Sequence, residues 1–587
     1  MSLFEKILAA RGLAGGAVAD FILPDYEKKH DPFLLPDMQK AVKRIVSARK
    51  KQEKITIYGD YDIDGLTATT VLLDAFGSFG FRHIDSFMPN RFIEGYGLTI
   101  DAVETIAARG TTLIITVDCG SLSHKEIARA NELGVDVIVT DHHNVSDKQP
   151  AAVAVINPKR NDHNYPFIDL AGVGVAFKLV QALQTKLDGL PVGREKWLLD
   201  LVALGTVCDV VTLTDENRTY VYWGLKVLKK AQRPGLKALM AVARVEPATL
   251  NSRSLGFALG PRMNASGRLE TAQYALDMLL ATDVEIAYQT AERLDAMNIA
   301  RRSYQAKIFK EAILQAELYQ NDPVLVLSGV DWNHGIVGIV AAKLLEKYQK
   351  PAFVLQEMGD TSKGSARSFG DFSAASAVRA ADDIITSGGG HVLAAGVTLP
   401  TKNIEAFRTR VNEYYKNQKL TNQEKLLLAT PDVEVKDLSE ITEDFVVQLA
   451  DLEPFGNGNP EPVIKIQKVT VIDRRIMGAD NQHVKLEIKD NIGKRMKVVA
   501  LVRRDIFLSR LVNKSTLCFS QTLTSGKVVG ASRADYYTSL NLRVGVEVRE
   551  ESVVVALAEV AHVPVARYFQ TPLTLLRHLL TLTGERR

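Results

Sequence analysis

The chain has 587 residues, which is too long for one hydrophobic core and predicts roughly four domains. Its 72 Lys and Arg against 69 Asp and Glu leave a net charge of +3, and 46% of the residues are hydrophobic. These values exclude a histone-like basic protein, an acidic tail and a disordered chain, but not a locally basic groove. Three distant cysteines exclude a disulfide framework, and without a signal peptide or an apolar run of about 18 residues we expect a cytosolic protein.

In chain order, residues 1–50 are predicted to be helical, and residues 51–215 alternate apolar strands with helices, which indicates a parallel sheet. Residues 216–320 form a predicted helical connector that ends in one long helix. A second α/β domain is expected at residues 321–420 and a linker at 421–460. Short alternating strands at 461–550 are typical of an OB-like β-barrel, and residues 551–587 are an apolar tail without an assigned role.

The strongest local motif is an acidic cluster, Asp60, Asp62 and Asp64, directly after the predicted strand ITIYG. The spacing is similar to that of a calcium-binding EF-hand loop, but the twelfth position holds Val71 instead of Glu, which excludes that interpretation. In open α/β sheets, ligands bind at the carboxyl ends of the strands. The three carboxylates are therefore expected at such an edge.

Other predicted elements end in similar residues: Asp118, the triplet Asp141-His142-His143, and Asp209. If the strands are parallel neighbours, these side chains converge into a carboxylate and imidazole set that suits Mn²⁺ or Mg²⁺. Asp118 is placed to bridge two ions, the arrangement used for phosphoryl displacement. Individually, a single Asp at a strand end is more often a helix cap, and a single His is more often only hydrogen-bonded. The cysteines beside Asp118 and Asp209 are interpreted as packing residues.

Candidate phosphate-binding residues lie in the second half of the chain. GGGHVLAAG offers Gly389, Gly390 and His391 as a flexible backbone nest, although a simple glycine-rich turn is the alternative. Ser365 and Arg367 provide a hydroxyl and a fork-shaped guanidinium. For a surface that guides a strand between domains, the candidates are Arg262, Asn264 and Arg268, with interdomain salt bridges as the alternative.

The region from Pro460 to Glu550 is basic, with 17 Lys and Arg against 9 Asp and Glu, a net charge of +8. Together with His483, Tyr536 and Tyr537 as candidate stacking residues, this favours single-strand binding. The alternative is that these residues belong to the barrel core or to a solvated face.

The ordered motifs resemble the DHH phosphoesterase superfamily and, within it, the RecJ family of single-strand-specific exonucleases. They include IYGDYDIDG, ITVDCG, VTDHHN, LAGVGVAFKL, GTVCDVV, GPRMNASGRL, WNHGIVGIVAAKL, GSARS, GGGHVLAAG and PFGNGNP. The resemblance implies a multi-domain α/β architecture with a parallel-sheet DHH catalytic domain, a long connecting helix, a DHHA1-type substrate-binding domain and an OB-like barrel. It also implies two-metal hydrolysis of single-stranded DNA in the 5′→3′ direction.

Carried over by position, the implied metal ligands are Asp62, Asp64, Asp118, His142 and Asp209, with Asp60 as a further candidate. The same resemblance gives His143 a contact with the scissile phosphate and gives Asp141 the role of orienting the imidazoles. One departure is Tyr58, because many relatives elsewhere in the superfamily carry a metal-binding His at this position. The first metal is then expected to rely on Asp60 or water.

Two alternatives remain at this point: a phosphoesterase for pyrophosphate, cyclic dinucleotides or short oligonucleotides, and a non-catalytic DNA-binding scaffold. The expected partner is single-stranded DNA, and the expected state is a monomer that does not bind membranes. The sequence does not decide whether a helicase or a single-strand-binding protein recruits the chain.

Overall fold

The computed structural model describes residues 1–93, 95, 97–420, 431–467, 469–477, 483–500, 542–549 and 552–560. They form two compact units. The first unit contains residues 19–420, as far as they are described, and the segment 453–460, and the second contains residues 1–18, 431–452 and those described from 461 onward. Within these ranges, no helix has both the length and the apolar character needed to cross a membrane.

The N-terminal segment is helical, as predicted, with helices α1 (Leu3–Ala10), α2 (Gly16–Ile22) and α3 (Met38–Lys51). A capping box begins α1, because Ser2 accepts the N–H of Glu5 while the Glu5 carboxylate accepts the N–H of Ser2.

The first α/β domain is a five-stranded, fully parallel sheet with the order β2-β1-β3-β4-β5. Its strands are β1 (Ile55–Tyr58), β2 (Ile84–Phe87), β3 (Leu113–Val117), β4 (Asp136–Thr140) and β5 (Ala154–Ile156). Its helices are α4 (Ile63–Ser78), α5 (Ile100–Ala108), α6 (His124–Glu132) and α7 (Gly172–Gln184). Alternate strand residues pack against α3, α4 and α7 on one face and against α5 and α6 on the other. Burial on both faces explains the apolar strands.

The connector is helical, as predicted, and ends in a 35-residue helix capped by Asp283. Helix α8 (Leu199–Cys208) precedes the connector, whose helices are α9 (Asp215–Leu228), α10 (Pro234–Val242), α11 (Ser252–Ser254), α12 (Gly260–Leu269), α13 (Gln273–Leu280) and α14 (Val284–Leu318). A π-helical turn, Leu255–Leu259, precedes α12.

The second α/β domain has a mixed sheet with the order β6-β7-β8-β10-β9, in which β6 and β7 are parallel and the other pairs antiparallel. Its strands are β6 (Leu325–Gly329), β7 (Ala352–Met358), β8 (Thr361–Arg367), β9 (Ser387–Gly390) and β10 (Ala394–Pro400). Its helices are α15 (His334–Tyr348), α16 (Ala374–Arg379) and α17 (Ile404–Lys416). The prediction of a flexible turn at Gly389 and Gly390 is wrong, because both residues pair with β10 as an edge strand.

The second unit holds a seven-stranded sheet with the order β11-β12-β17-β16-β15-β14-β13. Its strands are β11 (Val433–Val435), β12 (Val463–Gln467), β13 (Thr470–Met477), β14 (His483–Lys489), β15 (Arg495–Ala500), β16 (Leu542–Arg549) and β17 (Ser552–Val560), with helix α18 (Glu443–Leu449). Two expectations are corrected. The predicted linker at 421–460 contains β11 and α18, and the predicted tail from 551 begins with β17, which pairs with β12 and β16. Tyr536, Tyr537 and the side chain of His483 lie outside what the structure describes.

Candidate metal centre

The acidic cluster lies between β1 and α4, at the carboxyl edge of the parallel sheet. Asp62 is the N-cap of α4, and its Oδ1 accepts the N–H groups of Asp64 (3.0 Å) and Gly65 (3.2 Å). Asp64 lies in the first turn of α4 and is buried. Its two oxygens accept the N–H groups of Gly172 (2.6 Å) and Val173 (2.8 Å), where α7 begins. The positive end of the α7 dipole therefore holds this carboxylate.

At two glycines, a helix lies so close to the metal centre that no side chain would fit. A Cβ atom at Gly172 would lie 2.7 Å from Asp118 Oδ1, and one at Gly205 would lie 2.9 Å from Asp64 Oδ1. These are distances that real Cβ atoms do not adopt. Helices α7 and α8 thus press their backbones against the carboxylates.

Asp118 follows β3 and is buried, with a left-handed backbone (φ 60°). Its N–H donates to the carbonyl of Thr140 at 2.9 Å, which ties it to the neighbouring strand β4. Its Oδ1 lies 3.1 Å from His142 Nε2 and 3.8 Å from His143 Nδ1. A non-glycine residue in this backbone region is uncommon and is found at functional sites.

Asp141 is enclosed by donors. Its carboxylate accepts the N–H of Ser121 (2.9 Å), the N–H groups of His142 (2.7 Å) and His143 (3.0 Å), and His143 Nδ1 (2.8 Å). Burial opposes ionisation, but the bonds from His143 hold the pKa of Asp141 below its ordinary range. Conversely, burial disfavours the imidazolium, while the bond to Asp141 raises the pKa of His143 above its usual value. Asp141 therefore orients the His143 ring and favours its protonated, cationic form.

Three sets of ligand atoms converge, each within 4.8 Å: Asp60 with Asp62 and Asp118, Asp64 with His142 and Asp209, and Asp118 with both histidines. His142 Nε2 lies 3.6 Å from Asp209 Oδ2 and 3.8 Å from Asp64 Oδ2. Three of these buried atoms, Asp60 Oδ1, Asp118 Oδ1 and His142 Nε2, have no hydrogen-bond partner among the residues that the structure describes. Buried polar atoms normally have hydrogen-bond partners. These carboxylate oxygens and this imidazole nitrogen are instead suitable ligands for divalent cations.

The carboxylates repel one another in the metal-free protein. Burial and the neighbouring Asp62 raise the pKa of Asp60 to about 8 and that of Asp64 to about 7. Burial and Asp64 raise the pKa of Asp209 to about 9 and hold that of Asp118 well above its ordinary value. Burial and the His143 charge lower the pKa of His142 to about 3. A neutral imidazole among crowded carboxylates is the protonation state that metal coordination requires.

An arginine group lies beside this centre. Burial and the charges of Arg91, Arg301 and Arg367 lower the pKa of Arg268 to about 10, while Asp62 opposes the shift. Arg91 stacks over the ring of Tyr61, 4.0 Å from its centroid, and in the described ranges its buried Nε has no hydrogen-bond partner. Guanidinium groups this close to one another suit an anion with several oxygens, such as phosphate.

Three family models match the chain: the DHH family, N-terminal domain, at residues 54–206, the DHHA1 domain at 321–417, and the RecJ OB domain at 432–520. The single-stranded-DNA-specific exonuclease RecJ of Escherichia coli K12 is 36% identical over 476 residues, which cover 78% of this chain and 81% of that protein. The chain belongs to the RecJ family.

RecJ of Bacillus subtilis 168 is 40% identical over 492 residues, 83% of this chain, and these span 61% of the length of that relative. The structure of RecJ from Thermus thermophilus in complex with Mn²⁺ matches with a TM-score of 0.71 and 28% identity, over 86% of this chain and 72% of that one. Its Mg²⁺ complex matches with a TM-score of 0.66 and 26% identity, over 86% and 71% of the chains.

Tyr58 has a structural role in this RecJ-family chain. It is fully buried, donates its hydroxyl to the carbonyl of Gly97 at 2.8 Å and stacks on Phe87. It therefore belongs to the sheet packing, and the carboxylate nearest to it in the chain among the converging ligands is Asp60.

The candidate substrate residues fall into two groups. Ser365 and Arg367 share one face of β8 and lie against α15, because a Cβ atom at Gly338 would come within 3.3 Å of both side chains. Arg268 donates to the carbonyl of Gly335, in the first turn of α15. In contrast, Arg262 is paired with Asp295 on α14 at 2.8 Å, which favours the salt-bridge alternative. Asn264 lies one turn from Arg268 on α12.

The glycine motif contributes a flat surface instead of a nest. Gly389 pairs with Gly396, which pairs with Ser365 on β8, so the three residues form one row across the sheet. A Cβ atom at Gly389 would meet nothing within 4 Å. The N–H of His391 donates to the carbonyl of Ala394 at 2.7 Å and closes the hairpin, so it is not available to a ligand.

The sequence interpretation missed Arg91, Arg301 and Lys159. The charge of Lys159 acts on both His142 and Asp209, which places its ammonium group beside the metal centre. Arg91 and Lys159 are basic residues in loops that follow parallel strands, a signal that could have identified them.

Proposed function

We propose that the chain is a metal-dependent exonuclease that removes nucleotides from single-stranded DNA in the 5′→3′ direction and releases 5′-mononucleotides, in DNA repair and recombination. The observation that carries this proposal is the set of converging ligand atoms around Asp118 and His142, with three buried atoms left unpartnered, in a chain of the RecJ family.

Asp60, Asp62 and Asp118 are the proposed ligands of one Mn²⁺ or Mg²⁺ ion, and Asp64, His142 and Asp209 those of the other. Asp118 lies in both neighbourhoods and is the proposed bridging residue. When bound, two such ions lower the pKa of a water molecule and stabilise charge on a phosphate. The backbone N–H groups of Gly172 and Val173 keep the Asp64 carboxylate in position for this role.

His143 is the proposed contact for the scissile phosphate. Its ring is half-exposed beside the buried Asp118, and its bond to Asp141 favours the cationic form. A cation at this position stabilises the charge that accumulates on the phosphate oxygens in the transition state. Asp141 acts through His143 by fixing its orientation.

Arg91, Arg268 and Arg367 are proposed to hold a phosphate near the end of the strand. An anion would relieve their mutual repulsion, and the buried Nε of Arg91 is a donor for which the described part of the chain supplies no partner. The open row formed by Gly389, Gly396 and Ser365 lets a sugar–phosphate backbone approach the sheet closely.

The second unit supports binding of a longer strand. Alternation along β13, β14 and β15 brings charged residues to one face, where Arg475 is opposite Lys485, Glu487 opposite Lys497, and Lys489 opposite Arg495. Alternate β14 residues, Leu486 and Ile488, are buried on the other face. A sheet surface with this excess of positive charge suits a single-stranded backbone.

The proposal is tested by digesting long single strands, labelled at either end, with Mn²⁺ or Mg²⁺, beside a blunt duplex and a dinucleotide. We expect mononucleotides to be released from the 5′ end of the single strand, with the duplex intact. Preferential hydrolysis of the dinucleotide would instead support the small-substrate phosphoesterase. Absence of cleavage together with undetectable Mn²⁺ binding by calorimetry would support the scaffold.

The proposal includes a cytosolic, monomeric enzyme that a helicase or a single-strand-binding protein delivers to its substrate. Sedimentation of the purified protein at several concentrations tests the monomer. Stimulation of digestion by either added partner, on strands that the partner covers or unwinds, tests delivery.

A further inference from the structure

The metal-ligand candidate Asp209 differs from its neighbours in how its carboxylate is held. Asp62 and Asp64 each accept two backbone N–H groups. In the described part of the chain, no hydrogen-bond donor contacts the Asp209 carboxylate, and its side chain is 22% exposed, compared with 0% for Asp64. Its position therefore depends on the backbone around it.

That backbone is strained directly after Asp209. Helix α8 ends at Cys208, Asp209 is its C-cap, and Val210 follows in the left-handed region with a φ of 64°. A β-branched residue at positive φ is a genuine outlier. Val210 is 64% exposed, so packing of its own side chain does not explain the conformation.

Distant residues hold this conformation from outside. The side-chain Nδ2 of Asn457 donates to the carbonyl of Val210 at 2.9 Å, and the carbonyl of Asn457 accepts the N–H of Leu213 at 2.7 Å. Asn457 thus brackets the loop 210–213 at both ends. The segment Glu453–Pro460, here called the clamp, belongs to the same compact unit as the metal centre.

The clamp is itself rigidly docked. Gly456 and Asn459 exchange backbone hydrogen bonds at 2.9 and 3.1 Å around a tight turn, in which Gly458 adopts a φ of 74°. Ser252 Oγ donates to the carbonyl of Phe455 at 2.6 Å, and Arg218 Nη2 donates to that of Glu453 at 2.8 Å. These bonds anchor the clamp to α11 and α9, just before the turn that presents Asn457.

We propose that Asn457 is a positioning residue that holds Val210 in its strained conformation and thereby keeps the Asp209 carboxylate directed at the metal centre. The inference rests on the proposed function only in taking Asp209 as a metal ligand. It does not depend on the polarity of cleavage or on the nucleic-acid substrate.

The test measures Mn²⁺ binding to the full chain by calorimetry, together with the Mn²⁺ concentration that half-activates DNA digestion. Loss of one hydrogen bond predicts that Asn457→Ala weakens Mn²⁺ affinity about 5- to 10-fold at one site, with a smaller change in the rate at saturating Mn²⁺. Asn131→Ala is the matched control, because its Nδ2 also donates to a backbone carbonyl, that of Ala151, at 2.9 Å. We expect this control to bind Mn²⁺ like the natural chain.

A rescue separates positioning from a general loss of structure. Glycine adopts positive φ without penalty, so in Val210→Gly the loop no longer needs the hydrogen bond from Asn457 to keep this conformation. We expect the double variant Asn457→Ala/Val210→Gly to recover most of the Mn²⁺ affinity. Should the alanine variant fail to fold, Asn457→Leu replaces the amide with an uncharged apolar side chain of similar size and carries the same comparison with and without Val210→Gly.

Unchanged Mn²⁺ affinity in a folded Asn457→Ala variant would overturn the inference, as would a double variant no better than the single one. Failure of the natural chain to bind Mn²⁺ would instead refute the proposed function. The two outcomes are therefore distinguishable.

Discussion

His143 Nδ1 lies 2.8 Å from Asp141 Oδ1, so the first and third residues of the triplet form a hydrogen-bonded ion pair beside the candidate metal ligands. The same carboxylate oxygen accepts the backbone N–H groups of His142 and His143. Asp141 Oδ1 therefore links the His143 ring to the His143 main chain and fixes the orientation of that ring. In the proposed function, His142 binds the metal, His143 contacts the substrate, and Asp141 positions both through these hydrogen bonds.

The Asp141–His143 pair predicts how activity depends on pH. Because Asp141 raises the pKa of His143, the cation persists to higher pH and activity that needs it is lost as pH rises through that raised pKa. In Asp141→Asn the pKa of His143 falls, so the alkaline loss of activity moves to lower pH. We expect about 10- to 100-fold lower kcat/KM on the alkaline side, measured as a pH–rate profile at saturating Mn²⁺. An unchanged profile in a folded variant would contradict the role.

Replacing Asp118 with Asn is expected to raise the stability of the metal-free protein and to reduce its stabilisation by Mn²⁺. Asp118→Asn relieves repulsion among buried carboxylates and keeps a residue that tolerates φ 60°. We expect the metal-free variant to melt a few degrees higher than the natural chain. Burial and the neighbouring carboxylates raise the pKa of Asp118, so folding must either protonate this carboxyl or bury its charge, a cost that the neutral amide does not carry. Calorimetric melting with and without Mn²⁺ checks this, and the rise in Tm on adding Mn²⁺ should largely disappear.

Activity of the same site is tested with Asp118→Ala, which should abolish Mn²⁺-dependent digestion while DNA binding stays close to normal. Substantial residual nuclease activity would refute the assignment of Asp118 as a central ligand.

Protons compete with metal ions at this centre. Asp64, Asp60 and Asp209 have pKa values raised to about 7, 8 and 9, so at neutral pH the metal-free site retains protons that a cation must displace. Mn²⁺ affinity is therefore expected to increase as pH rises from about 6 to about 9. Calorimetry in two buffers of different ionisation enthalpy should detect proton release, and an affinity independent of pH would contradict the raised pKa values.

The arginine group predicts a substrate-binding defect. Arg268→Ala should raise KM for DNA about 10-fold, with a smaller effect on kcat, and should reduce the salt dependence of binding by about one phosphate contact. Arg262→Ala is the control on the same helix, because its guanidinium is already paired with Asp295. Equal effects of the two substitutions on the salt slope would argue against a phosphate contact at Arg268.

The sequence predicted those parts of the site that depend on local pattern. Apolar strands followed by acidic residues determine which side chains meet at a parallel-sheet edge, so Asp62, Asp118 and His142 could be found without coordinates. The grouping of Arg91 with Arg268 and Arg367 could not be predicted, because these residues are distant in the chain and come together only in the folded structure. Gly389 and Gly390 have turn composition, but pairing with β10 overrides it.

The strand boundaries in the second unit could also not be predicted from the local sequence pattern. Val463–Gln467 and Ser552–Val560 become strands through pairing with each other, across 84 intervening residues. A run such as SVVVALAEV is equally compatible with a helix or a strand until its partner is known.

The glycines at the start of α7 and within α8 have a consequence for which ions the centre accepts. With no room for even a methyl group at Gly172 or Gly205, neither helix can move inward, and the hydrogen bonds from α7 to Asp64 prevent α7 from moving outward. The Asp64 side of the centre therefore has little freedom to expand. We expect the centre to favour small ions over Ca²⁺, whose longer bonds and higher coordination number need a site that can expand.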